Sequence, residues 1–472
     1  MTDFAPSLEQ LNRWKRFQAA FDPWQARRPG QIEGLYVERP NGPLAQLSRQ
    51  FAVLEDHNYT RVVLCGARGS GKTTELARLH SVMREQFAVF SFDLEGALPP
   101  GTGTLGLIAV LGALAAAGTA DWHDPAGDGS VAVATSSRGR FQEAFAKVGI
   151  GTAALDEFVK VIAPLLDLVQ GSGGVPDGTV ETVQILASGT RGLSQVIGRL
   201  LDGRDPSVFE AGGHARHRPE ADALIATTNE RLAALRQAAG KPALFILDGL
   251  DRTIELSDVQ ALFRDVELLR AIESNLVLSG PLAVRHTAKF RAVGQELYAI
   301  PLENVAIRRR TSPAEADPAG LDLLRAIYTR RCEVWDLEPE LVDDGALNAA
   351  ACMSAGLVRD FLRLLRDASL AAAFSPEQRV TAEFMDAAIG SKRRELQGYL
   401  RENLIDVLHH VLETTGLPEG DAADQLLFEN FIACYANGDV WFRPHELLVA
   451  WLERLREEQA ERQRAADTAR GQ

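Results

Sequence analysis

Cysteine is scarce in this chain of 472 residues. Its four cysteines, Cys65, Cys332, Cys352 and Cys434, lie far apart and have no metal-ligand spacing. Their scatter argues against a disulfide framework or a thiolate zinc site and implies reduced thiols in a cytosolic protein. Long apolar runs are also missing. The longest, Leu105 to Gly118, is too short to span a bilayer and is rich in Ala and Gly. It predicts a buried helix, and no membrane partner is expected. The N-terminal MTDFAPSLEQLNRW has no basic segment followed by an apolar one, so no signal peptide is expected. Positive charge is short as well: 50 Lys and Arg face 64 Asp and Glu, a net charge of -14. That balance argues against a broad nucleic-acid footprint and leaves room only for a local basic patch. His445-Glu446 has no second His three residues on, which excludes a zinc-protease motif.

What is present looks globular, with 46% hydrophobic and 24% charged residues. A chain this long predicts about three domains. The stretch VVLCGARGSGKTTELARL at 62–79 organises the rest. Val62 to Cys65 reads as a buried strand, and Thr74 to Leu79 continues at helical spacing. Between them Gly66, Ala67, Arg68, Gly69, Ser70, Gly71, Lys72 and Thr73 fit G-x-x-x-x-G-K-[ST] without departure. Strand, loop and helix are the context this phosphate-binding pattern requires. Glycines let backbone N–H groups converge on phosphate oxygens, and the helix N-terminus adds its positive dipole. Lys72 is the candidate for the outer phosphates, Thr73 for a Mg²⁺ ligand, and Thr74 comes next in the same turn.

Other candidates are spread along the chain. Leu8, Leu11, Trp14, Phe17 and Phe21 form a helical stripe expected to dock on the domain that comes after it. Tyr36 to Pro40 lies in a loop that could touch a nucleotide base or simply pack. Phe87 to Phe92 reads as a strand leaving at Asp93-Leu94-Glu95, where a carboxylate could help order Mg²⁺ or be a solvated loop acid. Helical stripes at Phe141–Val148, Leu155–Val169 and Val180–Leu201 predict an insertion over about 119–217. Ala243 to Leu247 is an apolar strand ending in Asp248, the acid that partners a phosphate loop and holds Mg²⁺ through its waters. Asp251 is the candidate for orienting the attacking water. A helix is expected over Val259–Ile272, then a strand at Asn275–Gly280 whose Ser279 could meet the γ-phosphate or water. No N-K-x-D base-reading motif comes after the acidic strand, so ATP is expected rather than GTP.

Arg291 could reach the γ-phosphate of a neighbouring copy. Arg285, Lys289 and Arg308–Arg310 are rivals, and a plain solvated cation is the alternative for each. Helices after a polar linker at Thr311–Gly320 predict a lid over 311–400. In it Ser354-Ala355-Gly356-Leu357-Val358-Arg359 places Arg359 in a helix's first turn. Arg359 could close on the γ-phosphate or pair with an acid on its own helix. Asn437-Gly438 between two β-rich runs is a hairpin signal, and helices before it suggest a winged helix over 401–472. The N-terminal 1–43 is a helix and linker, and 44–310 the core.

Together these segments resemble the AAA+ and STAND branch of P-loop ATPases, nearest to origin-recognition initiator proteins built as core, lid and winged helix. Gly66–Thr73, the Asp248/Asp251 strand, the Ser279 strand and Ser354–Arg359 carry the resemblance over roughly 45–400. The insertion has no counterpart. GARGSGKTTELARL and ALFILDGLDR look like a bacterial STAND group, which implies a switch in signalling or anti-phage defence beside a separate effector, or self-assembly. Gly249 departs from the pattern, since a catalytic Glu usually comes after the acid. The expectation is an α/β P-loop core with a parallel sheet, a lid and a winged helix. It binds ATP and Mg²⁺, hydrolyses slowly and gates docking of a protein partner. The competing expectation is a DNA-binding AAA+ loader. It is disfavoured because 431–442 holds no Lys or Arg and Asp439 sits at the hairpin tip.

Overall fold

The computed structural model describes residues 5–23, 34–40, 42–52, 59–94, 103–121, 218–252 and 255–470. Glu95 and the insertion stripes lie outside these residues. Five short strands form one parallel sheet: β1 (Arg61–Gly66), β2 (Ala88–Asp93), β3 (Ala243–Asp248), β4 (Asn275–Gly280) and β5 (Tyr298–Leu302). Their order is β2-β3-β4-β1-β5, so β4 separates the phosphate-loop strand from the acidic strand.

Continuous apolar runs mark strands buried on both faces. Val63, Cys65, Phe90, Phe245 and Leu278 point to one face, packed beneath helices α1 (Thr104–Asp121) and α2 (Arg218–Ala239). Their strand neighbours Val62, Leu64, Val89, Leu244 and Val277 fill the other face with Leu47 and Phe51 of α3 (Pro43–Ala52) and Leu76 and Leu79 of α4 (Lys72–Met83). Among the described residues no helix is long and apolar enough to cross a membrane.

The expected helix over Val259–Ile272 is broken. It comprises α5 (Leu256–Leu262) and a 3₁₀ turn at Val266–Ala271. Thr104 is the physical reason. Its hydroxyl donates to Leu262 O at 2.8 Å and accepts Asp265 N–H at 3.2 Å, taking both groups from the helical ladder.

The lid consists of α6 (Pro318–Trp335), α7 (Asp344–Met353), α8 (Val358–Ala372) and α9 (Ala382–Gln397). The N-terminal helix α10 (Leu8–Ala20) opens with a Ser7/Gln10 capping box. It docks on this lid, not on the domain next to it in sequence. Phe21 stacks on Tyr328 of α6 at 5.3 Å, and Gln18 bonds Ser369 of α8 at 2.6 Å. The aromatic stripe therefore finds its partner some 300 residues away in sequence, beyond the reach of local pattern.

The C-terminal unit is a winged helix. It holds α11 (Glu402–Thr414), α12 (Asp421–Phe428), the hairpin strands β6 (Ile432–Tyr435) and β7 (Trp441–Pro444), and the long α13 (Glu446–Arg470). The hairpin is a wedge. Ile432, Cys434 and Phe442 join the core beneath the sheet, while Ala433, Tyr435 and Trp441 join the lid. Its turn is tied down where Asn437 Nδ2 donates to Arg308 O at 2.7 Å and to Asp317 at 2.8 Å. The α/β P-loop core, helical lid and winged helix expected from the sequence are all present.

Candidate functional site

The site lies at the carboxyl ends of β1, β3 and β4, the place where open α/β sheets carry ligands. Gly69 (φ +89°) and Gly71 (φ +104°) adopt left-handed backbone that side chains resist, and this shapes the loop into a cradle leading into α4. Thr73 donates to Asp248 Oδ2 at 2.6 Å, joining the end of the loop to the tip of β3. Asp248 also accepts Gly249 N–H at 2.8 Å.

Lys72 is buried, and its Nζ lies 2.8 Å from Asp251. It also donates to Gly66 O at 2.6 Å and Ala67 O at 3.0 Å. Ser279 donates to Asp251 at 3.2 Å and accepts Leu250 N–H at 3.1 Å. Lys72, Asp248, Asp251, Ser279 and Thr73 thus form one cluster. The two acids titrate in opposite directions. Burial raises the Asp248 carboxyl, the negative Asp251 raises it further, and Arg252 and Thr73 oppose only part of this. Burial also disfavours Asp251⁻, but the charge and hydrogen bond of Lys72, joined by the Arg252 charge and a backbone hydrogen bond, together outweigh it and hold that carboxyl below the ordinary range.

Arg359, in the first turn of α8, lies directly on the phosphate loop. Its backbone N–H donates to Gly69 O at 3.0 Å, and its side chain covers Gly69 so closely that a Cβ there would lie 2.5 Å from Arg359 Cβ. Four of the rival cations are engaged elsewhere, and Arg285 is exposed. Lys289 pairs with Asp421 and Asp424 at 2.9 and 3.0 Å, Arg308 with Glu446 at 2.9 Å, Arg309 with Glu315 at 3.4 Å, and Arg310 with Asp439. Arg291 is exposed at the start of a short helix.

Arg252 and Asn430 escape the sequence reading, and Arg39 enters it only as part of the Tyr36–Pro40 loop. Arg252 donates to Thr73 Oγ1 at 2.7 Å and lies 3.2 Å from Asp93 and 3.5 Å from Asp248. Its only sequence signal is the four-residue spacing from Asp248. Arg39 donates to Ser70 O and lies 3.5 Å from buried Glu75, which also accepts from Tyr36 at 3.1 Å. The 36–40 segment thus lies on the phosphate loop. Asn430, from the winged unit, donates to Arg68 O at 2.8 Å, and the Arg68 guanidinium sits 4.5 Å over the Phe428 ring. No local pattern marks Arg39 or Asn430, since each meets the loop only through the tertiary fold.

The residues fit a Mg²⁺-bound nucleoside triphosphate. Ser70 Oγ is buried without a hydrogen-bond partner, and Lys72 is a buried cation at the loop's base. Thr73 and Asp248 converge as a hydroxyl–carboxylate pair of the kind that holds Mg²⁺.

No protein-family model matches the sequence, and no curated protein matches it. Solved structures are similar to this chain, and two of them illustrate the likeness. One is the Orc1 protein of Aeropyrum pernix in complex with DNA, at TM-score 0.37 and 14% identity, over 89% of this chain and 96% of that one. The other is Cdc6p of Pyrobaculum aerophilum, at TM-score 0.33 and 14% identity, over 93% and 98%. Overlaps this loose leave the fold to rest on the sheet order, the loop and the acidic strand described above.

Proposed function

We propose that this chain is an ATP-binding switch of the AAA+ type that hydrolyses ATP slowly. In this reading 44–310 is the core, 311–400 the lid and 401–472 the output unit. Lys72 and the loop amides take the phosphates, Thr73 and Asp248 hold Mg²⁺, Ser279 and Asp251 position water, and Arg359 senses the γ-phosphate. One observation carries it. Three consecutive loop carbonyls are each held by a different outlying element: Arg68 O by Asn430 of the winged unit, Gly69 O by Arg359 of the lid, and Ser70 O by Arg39 of the N-terminal segment. In this reading a phosphate that shifts the loop backbone as it binds disturbs all three contacts.

The magnitudes suit a switch. Two neutral bonds at about 1 kcal/mol each and one charge-assisted bond at about 1.5–3 kcal/mol sum to several kcal/mol. Reversing a 1:99 population takes about 5.5 kcal/mol, the same order. Slow turnover is expected from Gly249 in place of the usual Glu and from Asp251 being engaged by Lys72. The finer assignment, a STAND-type switch that releases a protein effector or self-assembles, rests on the phrases GARGSGKTTELARL and ALFILDGLDR alone.

The experiment is a melting curve in Mg·ATP at a hundred times the dissociation constant, where ligand adds about 2.7 kcal/mol of stability. Lys72→Ala should abolish that gain and the slow phosphate release. A wild-type protein that shows no shift, or a Lys72→Ala variant that hydrolyses at the wild-type rate, removes this reading.

A second reading takes the winged helix to duplex DNA. In its favour, the similar Aeropyrum pernix protein was solved in complex with DNA. Against it, α12, the second helix of the helix-turn-helix pair, is acidic and docked on the core through Lys289 and Phe428.

A further inference from the structure

We infer that Arg252 is a built-in competitor of the metal: its guanidinium holds the carboxylate–hydroxyl cluster at the tip of β3, and Mg²⁺ enters only by displacing it. The inference rests on the ATP-site reading above and assigns Arg252 a positioning role within it. Arg252 Nη2 donates to Thr73 Oγ1 at 2.7 Å and lies 3.5 Å from Asp248 Oδ2, while its Nη1 lies 3.2 Å from Asp93 Oδ2. Thr73 and Asp248 are the two residues that fit Mg²⁺. Asp93, at the end of the neighbouring strand β2 and directly beside Asp248 in register, is the third oxygen donor on the same cation. One monovalent fork therefore bridges three oxygen-bearing side chains from three elements.

Electrostatics explains why a cation belongs there. Asp248 is 7% exposed and Asp251 2%, so two carboxylates share one dry corner. Lys72 neutralises Asp251 at 2.8 Å, and among the described residues Arg252 is the cation paired with Asp248. Without it the corner would carry uncompensated negative charge, which is costly in low dielectric. A divalent ion held by Thr73 Oγ1, with Asp248 accepting from its waters, would occupy the position the guanidinium now takes, so the two cations would compete for one corner. The nucleotide supplies what favours the exchange, because its phosphates add negative charge beside Thr73. Arg252 also sits next to Asp251, whose backbone carbonyl accepts from Arg68 Nε at 3.0 Å. Displacing Arg252 thus pulls on the loop residue that Asn430 and Phe428 of the winged unit hold.

The test measures binding of a fluorescent ATP analogue to the full chain across a Mg²⁺ titration, for wild type and Arg252→Ala. The Mg²⁺ concentration at half-maximal binding should fall at least tenfold in the variant, and binding measured in EDTA should change less than threefold. An unchanged Mg²⁺ midpoint in a variant that still binds the analogue overturns the inference and leaves the ATP site standing. No Mg²⁺-dependent binding by the wild type overturns the ATP reading itself. If Arg252→Ala fails to fold, Arg252→Gln, which keeps a donor and removes the charge, is scored by the same two numbers. A purely structural Arg252 would change the melting temperature but leave the Mg²⁺ midpoint where it was.

Discussion

At the scale of the residue, the site is a balance between two aspartates three positions apart. Asp251 is paired with a buried lysine and titrates low, so its stabilisation is present above the ordinary carboxylate range and is lost as pH falls through its depressed value. Asp248 titrates high. Its folded form binds the proton more tightly than the unfolded chain, so its contribution favours folding at low pH and is lost as pH rises through the raised value. Opposite signs predict opposite responses to neutral isosteres. Asp251→Asn strands the Lys72 ammonium and should cost about 3–5 kcal/mol in the nucleotide-free protein. Asp248→Asn removes a disfavoured charge, and its nucleotide-free melting temperature at neutral pH should equal or exceed wild type while Mg²⁺-dependent nucleotide binding is lost. Equal destabilisation by both, measured by urea denaturation, contradicts this assignment. Much of the cluster was legible in the sequence, because Gly66–Thr73 and the Asp248 strand are contiguous patterns whose chemistry fixes their order. Arg252 and Arg39 were not, since an arginine's reach is set by the fold and a string of letters gives no direction to a long side chain.

At the scale of the element, the hairpin 432–444 couples the parts. Strand alternation is read twice here, once by the core and once by the lid, so each face of a two-stranded ribbon is covered. The Asn437-Gly438 turn made the hairpin visible from the sequence. That both faces are buried was not visible, because a ribbon of apolar residues does not say which bodies cover it. His286 in the short helix Ala283–His286 marks the junction. Its ring meets Phe442 edge-on at 5.4 Å, and its Nε2 lies 3.7 Å from Cys434 Sγ. Burial, with help from the Arg285 charge, lowers its pKa from 6.5 to about 4. Between those values the unfolded chain binds more protons than the folded one, so stability is full above pH 6.5 and falls on acidification. Allowing for partial exposure, about 1–2 kcal/mol should be lost between pH 7 and pH 5. His286→Gln should remove that part of the slope, read as the difference between the two proteins' denaturation midpoints across the pH range. Parallel slopes would place the titrating group elsewhere.

At the scale of the whole molecule, the outer elements touch the phosphate loop, which leaves β1 between β4 and β5 of the parallel sheet. The architecture was readable because strands buried on both faces and an intact loop motif dictate the sheet, while helices and a turn signal dictate the lid and the winged unit. The docking of the winged unit was not readable. Asn430 reaches Arg68 across 362 residues, and its left-handed backbone (φ 66°) is what aims it there. This docking also separates the two functional readings. α12 pairs Asp421 and Asp424 with Lys289 and sets Phe428 under the Arg68 guanidinium, so this helix is already tied to the core. Asn430→Ala with Phe428→Ala should cut the tie to the loop without touching Lys72 or Asp248. In wild type, Mg·ATP should speed hydrogen exchange across 421–445. In the double variant exchange there should already be fast, ATP should add nothing, and nucleotide should bind several-fold more tightly, because the tie no longer has to be broken. Duplex binding measured on the same samples completes the test. If the freed unit is a protein-docking surface, neither ATP nor the double variant raises duplex affinity. If it is a DNA grip, both raise it, and affinity falls by orders of magnitude with salt as phosphate contacts demand. An acidic chain that nonetheless showed that salt slope would transfer the output from a protein partner to DNA, with the same three carbonyls as the trigger.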